Sequence, residues 1–170
     1  MKTIRQASPD DCALIYELAL SSWKEAYSEI LSHEQMDYMM EMMYSETSLK
    51  RQMREGHIFF IVLCDGVSSG FISFHPQSDN LYILEKLYVL PQTQGAGMGR
   101  FLVEKAEEYI RERHPNQHIL IELNVNRNNK AVGFYHRLGF HIDREVDEDI
   151  GNGFYKRDYI MGKRVVLRRN

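Results

Sequence analysis

The sequence predicts an α/β chain of the α+β kind: a mixed, mostly antiparallel sheet of about seven strands, with helices against it. Three observations carry this reading. Strand patterns recur at Lys2–Ala7, His57–Cys64, Val67–His75, Leu81–Leu90 and His118–Val125, all but the first of them largely apolar. Runs with helical spacing separate them, first at Cys12–Ala26, where Ala13, Leu14, Ile15, Leu18, Ala19 and Trp23 share a period. Finally, Pro91–Arg100 (PQTQGAGMGR) places alternating glycines between a strand pattern and a helix pattern.

Taken in order, Ser8-Pro9-Asp10-Asp11 supplies a cap oxygen, a first-turn proline and early negative charge, so a helix follows the first strand. Ser32-His33-Glu34-Gln35 opens a second helix through Tyr44, and Ser45–Met53 forms a third. Asp65-Gly66 joins two strand patterns through a type I′ hairpin. Pro76–Asn80 is a turn, and Leu81–Leu90 continues the antiparallel meander. A helix from about Gly97 to Arg113 ends at His114-Pro115-Asn116. The strand after it, His118–Val125, runs parallel to Leu81–Leu90 if the crossover is right-handed. Asn128–Leu138 is a helix closed by Gly139. Phe140–Val146 and Phe154–Gly162 close the chain as a hairpin across Asp149–Gly153. Strands 4 and 5 are the parallel pair in the order β-α-α-α-β-β-β-α-β-α-β-β.

At 170 residues the expected organisation is one domain, residues 1–170, with a real core, and 44% hydrophobic residues suit a packed fold. The formal net charge of −3 argues against a nucleic-acid partner. Met1–Asp11 is polar and no apolar run reaches membrane-span length, so neither a leader nor a membrane is expected. Cys12 and Cys64 read as free thiols in apolar surroundings, which fits a reducing, cytoplasmic setting. His114 and His118 are split by Pro115, and the other histidines lack ligand spacing, so no metal is expected.

The glycine stretch reads as an anion seat, because unpaired amides at a helix N-terminus face a site favoured by the helix dipole. It lacks the lysine and hydroxyl of a Walker loop, and its G-x-G-x-G spacing follows the fourth strand instead of opening a doubly wound sheet. The pattern Gln94-x-x-Gly97-x-Gly99 after Tyr88-Val89-Leu90-Pro91 resembles the acyl-CoA loop of the GCN5-related N-acetyltransferase (GNAT) superfamily. A second block is similar to that superfamily's next conserved region: Leu123-Asn124-Val125, Asn128-Asn129-Lys130-Ala131, Phe134-Tyr135 and Leu138-Gly139-Phe140. The ending, Asp149–Phe154 with Asp158-Tyr159-Ile160-Met161, resembles a bacterial branch that includes polyamine acetyltransferases.

The resemblance implies the GNAT fold with strands 4 and 5 splayed, and acetyl transfer from acetyl-CoA to an amine by direct attack on the thioester. Pantetheine would pair with Leu87, Tyr88 and Val89. The pyrophosphate would sit on Gln94, Gly95, Ala96, Gly97, Met98, Gly99 and Arg100. Ala96 stands where the superfamily often has a basic residue. Asn124, Asn128 and Lys130 would reach the donor, with Phe134 over its arm. Tyr135 occupies the general-acid position. Glu85 is the first candidate base, against an ion-pair role with Lys86, and His75 is the next.

Trp23 and Tyr27 fall where the superfamily builds its acceptor pocket, and Glu25, Glu29, Asp37 and Glu41 add acid, which suits a cationic small amine. Met36, Met39, Met40, Met42 and Met43 read either as core packing or as an acceptor wall shared with a second copy in a homodimer. The function expected is N-acetylation of a small primary amine, polyamine-like. The alternatives are acetylation of protein or peptide N-termini, and a non-catalytic acyl-CoA-binding module.

Overall fold

The local rules of the sequence are met at most joints of the chain. In the computed structural model, which describes residues 1–29, 31–93 and 95–165, Arg5 clamps Asp11 through two nitrogens at 2.9 and 2.8 Å. That hydrogen-bonded pair holds the Asp11 carboxyl below its ordinary range. Asp11 also accepts from the Ser8 amide at 2.9 Å, so the Ser8 cap closes a short 3-10 turn at Pro9–Asp11 before the α-helix begins. Ser32 and Gln35 exchange cap bonds of 2.8 and 3.2 Å, starting the second helix as expected. Asp65 (φ 50°) and Gly66 (φ 81°) are both left-handed, the geometry a type I′ hairpin needs.

The elements are β1 (Lys2–Gln6), α1 (Cys12–Tyr27), α2 (His33–Tyr44), α3 (Glu46–Arg54), β2 (Ile58–Cys64), β3 (Val67–Ser78) and β4 (Leu81–Val89). After the glycine stretch come α4 (Met98–Arg113), β5 (Leu120–Asn126), α5 (Ala131–Arg137), β6 (His141–Gly151) and β7 (Phe154–Arg164). The seven strands form one mixed sheet in the order β1-β2-β3-β4-β5-β7-β6. β4 and β5 are parallel, in register from Leu81↔Leu120 to Leu84↔Leu123. β7 inserts between β5 and β6, antiparallel to both.

The largest departures from the expected boundaries fall at the end of β3, in the final hairpin and at the start of α5. β3 runs on to Ser78, so Pro76 lies in a strand and the turn shrinks to Asp79-Asn80. Pro76 is exposed there, where the ring and the missing donor disturb least. β6 continues to Gly151 and β7 starts at Phe154, which shortens the final connection to Asn152-Gly153. The acidic run there reads as loop by composition, yet cross-strand pairs such as Asp147↔Arg157 and Glu148↔Lys156 place opposite charges together. α5 begins at Ala131 because Asn126 and Asn129 side chains cap the preceding turn at 2.9 and 2.8 Å.

The chain divides into two compact units. The first comprises Met1–His75 with Lys86–Ala106. Its core takes Ile15, Leu18, Ala19 and Trp23 from α1, Met36, Met40 and Tyr44 from α2, Leu49 from α3, and Phe59, Ile61 and Phe71 from the strands. Each buried Leu, Ile, Met or Phe among them contributes roughly 1.5–3 kcal/mol. Met39 and Met43 pack against the core while Met42 is exposed, so most of the methionine-rich stretch is packing. The second unit comprises Pro76–Glu85 and Glu107 onward. Within it Ile121, Leu123, Val125, Tyr135, Leu138, Phe140 and Met161 are buried.

Gly70 marks a close approach inside the first unit. A Cβ there would lie 2.4 Å from the Tyr88 carbonyl oxygen and 3.1 Å from the Val89 Cα. Both obstacles are backbone, so neither can swing aside. We expect Gly70→Ala to cost about 1–3 kcal/mol in chemical denaturation, as overpacking does. An unchanged midpoint would mean that β4 backs away without penalty.

Candidate functional site

Leu87, Tyr88 and Val89, the segment expected to meet pantetheine, form the end of β4 and are half-buried. The Leu90 amide donates to the Ser69 carbonyl at 2.8 Å, fastening the strand end to β3. The Tyr88 side chain turns into the first unit's core. Its hydroxyl accepts from Trp23 Nε1 at 2.8 Å, and its ring lies 5.5 Å from Phe71 and 6.3 Å from Tyr44. Burial pushes the Tyr88 phenol up to about 12 and the Tyr44 phenol well above its ordinary value, so both stay neutral at physiological pH.

Beyond β4, Pro91–Thr93 makes a 3-10 turn and the glycine loop leads into α4. Gln94 lies outside the described residues. Gly95 (φ 89°) and Gly97 (φ 78°) are left-handed and exposed, conformations that an L side chain would strain. The Ala96 amide is taken up by the Thr93 carbonyl at 3.3 Å. The amides of the first turn of α4 have no intrahelical acceptor, and with the helix dipole they favour an anion. Met98 is buried, so its side chain anchors the turn and leaves only its main chain to a ligand. Arg100 is exposed and 3.9 Å from Glu104, a surface pair that leaves the guanidinium accessible.

The sequence gives no sign that Lys2 belongs to this neighbourhood. Its Nζ donates to the Ala96 carbonyl at 3.2 Å and lies 5.6 Å from the Phe101 ring centre. Lys86 is a second surprise, since it is buried. Its ammonium donates to Gln52 Oε1 at 2.6 Å and sits 5.6 Å from the rings of Tyr44 and Phe59. Gln52 is oriented in turn by the Met43 carbonyl and Ser48 Oγ, at 2.9 and 3.0 Å. Lys86 thus occupies the first unit's interior, whereas Glu85 beside it is exposed.

In the second unit, Asn124 is exposed on β5 and Asn128 and Lys130 are exposed just before α5. Phe134 is half-buried and meets Tyr135 edge-on at 5.2 Å; Tyr135 is buried and meets Phe140 edge-on at 5.5 Å. The Leu138 and Phe140 amides both donate to the Tyr135 carbonyl, at 3.1 and 3.0 Å, so the helix end fixes this residue's main chain.

The residues named for the acceptor divide. Trp23 is 4% exposed and its indole is engaged by Tyr88, so it serves the core; Tyr27 is partly buried, its ring 5.0 Å away. His75 stands within β3, its ring stacked on His57 at 4.1 Å. Among the described residues, no group of three or more His, Cys, Asp or Glu side chains could hold a metal ion.

Comparisons with known proteins agree with this arrangement. The acetyltransferase (GNAT) family model matches residues 14–140. Spermidine N(1)-acetyltransferase of Thermoplasma acidophilum is 25% identical over 146 residues, spanning 82% of this chain and 88% of the relative. Aminoglycoside N(6')-acetyltransferase type 1 of Stenotrophomonas maltophilia is 30% identical over 118 residues, spanning 65% and 68%. The crystal structure of the PaiA N-acetyltransferase from Thermoplasma acidophilum, in complex with coenzyme A, matches with a TM-score of 0.78 and 27% identity over 96% of this chain and 98% of that one. With the glycine loop, the parallel β4/β5 pair and a family match over most of its length, this chain belongs to the acetyltransferase (GNAT) family.

Proposed function

We propose that this protein transfers an acetyl group from acetyl-CoA to a primary amine of a small, cationic acceptor. The observation that carries the donor assignment is the sequence of elements from the half-buried strand end Leu87–Val89 to the exposed, left-handed Gly95 and Gly97 and the start of α4, where first-turn amides suit an anion. A pyrophosphate fits that donor set. Arg100 adds a mobile positive charge, and the β4 main chain at Leu87–Val89 takes the pantetheine amides.

In this reading Tyr135 gives its phenolic proton to the thiolate as the C–S bond breaks and the new N–C bond forms. An ordinary phenol has a pKa of about 10, so that proton moves only as negative charge develops on sulfur. Glu85 takes the proton that the attacking amine must lose, directly or through water. Asn124, Asn128 and Lys130 bind the donor, and Phe134 covers its arm.

The acceptor class rests on charge. Residues 24–41, spanning the end of α1 and most of α2, carry Glu25, Glu29, Glu34, Asp37 and Glu41 against Lys24 as the sole lysine or arginine. All five acids are exposed. With Tyr27 beside them they suit a polyamine-like cation, through ion pairs and a ring face. The spermidine-acetylating relative supports the same class. The free thiols Cys12 and Cys64 accord with a reducing, cytoplasmic location.

Tyr135→Phe should lower turnover at least about ten-fold while leaving the CoA dissociation constant unchanged, as removal of a general acid does. Turnover equal to the unaltered enzyme would remove Tyr135 from the chemistry. Release of CoA thiol should be fastest with spermidine when spermidine, an amino acid and a short peptide are offered separately. Preference for the peptide would move the assignment to chain N-termini. Stabilisation by acetyl-CoA with no thiol release for any amine would leave a binding module.

A further inference from the structure

Lys2 opens β1, where it pairs with Cys64 of β2, and belongs to no motif in the sequence. Its side chain crosses to the glycine loop of the same unit. Three contacts define its place. The ammonium donates to the Ala96 carbonyl at 3.2 Å, lies 5.6 Å from the Phe101 ring centre, and would stand 3.2 Å from a Cβ at Gly97. The last contact gives Gly97 a second reason to be glycine, beside its φ of 78°. A side chain there would press on the lysine head.

We propose that Lys2 is a positioning residue of the donor site, holding the glycine loop from behind and supplying positive charge to its pyrophosphate seat. The proposal rests on the acetyl-CoA reading. The peptide that joins Ala96 to Gly97 has its carbonyl on Lys2 and its N–H on Gly97. A cation on the carbonyl polarises that peptide and strengthens the N–H as a donor to an anion. It also fixes the peptide plane, so less ordering remains for the ligand to impose. The Phe101 ring gives the ammonium a second, face-on attraction.

This arrangement also answers a gap in the loop itself. Position 96 is alanine, and within Gly95–Arg100 the sole lysine or arginine is Arg100, which is 3.9 Å from Glu104. Lys2 brings a second cation to the loop from 94 residues away. Because it grips a carbonyl, it acts on the loop and not on the reacting atoms. Its loss should weaken donors that carry the pyrophosphate and spare those that lack it.

The test is calorimetric titration of the full chain and of Lys2→Met and Lys2→Arg, with CoA and with pantetheine, which lacks the pyrophosphate. Lys2→Met should raise the CoA dissociation constant roughly three- to five-fold and leave that for pantetheine unchanged. Lys2→Arg should stay within about two-fold of the unaltered protein, because the charge is kept. The role is overturned if Lys2→Met binds CoA as the unaltered protein does, or if it weakens CoA and pantetheine equally. Failure of the unaltered protein to bind CoA would defeat the donor reading instead, so the two failures separate.

Discussion

The hydrogen bond from the Trp23 indole to the Tyr88 hydroxyl, 2.8 Å long, is the constraint on which the end of β4, the proposed donor-binding segment, depends. It ties α1 to the end of β4 inside a closed aromatic core, where Tyr44 and Phe71 complete the packing. A buried phenol oxygen left without a partner would cost about 1–3 kcal/mol, so the indole both stabilises the core and orients the tyrosine. With that side chain fixed inward, the main chain at Leu87–Val89 is held in one extended geometry. Gly70 and the Ser69 carbonyl fasten the other side of the same few residues. A strand that must offer its backbone to a ligand cannot also be loose.

The glycine loop follows from that anchoring. Met98 buries its side chain at the head of α4, so the helix starts where the core requires it. The left-handed residues before it then let the chain turn without side chains in the way. In the proposed reading, the helix dipole, the first-turn amides, Arg100 and Lys2 each favour an anion at this loop by a separate physical route. The proposed proton transfers fall to Tyr135 and Glu85, and the helix end around Leu138–Phe140 holds the Tyr135 main chain.

Short-range signals were legible in the sequence because one local interaction decides each. The Ser32–Gln35 box, the Asp65-Gly66 turn and the Gly139 stop all fall where their side-chain chemistry says. The family was legible because two motif blocks stand in order around β4–α4 and β5–α5. What was not legible depends on partners far along the chain. Trp23 reads as a pocket aromatic until Tyr88, 65 residues away, takes its indole. Lys86 enters the sequence reading only as a possible ion-pair partner of Glu85, and its burial beside Gln52 and two rings depends on residues far along the chain. The strand ends at Pro76–Ser78 and Asp147–Gly151 are built from residues with low strand preference, and at the second of them cross-strand pairing overrides that preference.

The central claim is that the end of β4 and the loop into α4 together seat the donor. Amide hydrogen exchange with and without CoA tests it residue by residue. The account predicts slowed exchange at the amides of Leu87–Val89 and from Gly95 to Phe101 when CoA is added. Protection confined to other segments, with these amides unchanged, would contradict it.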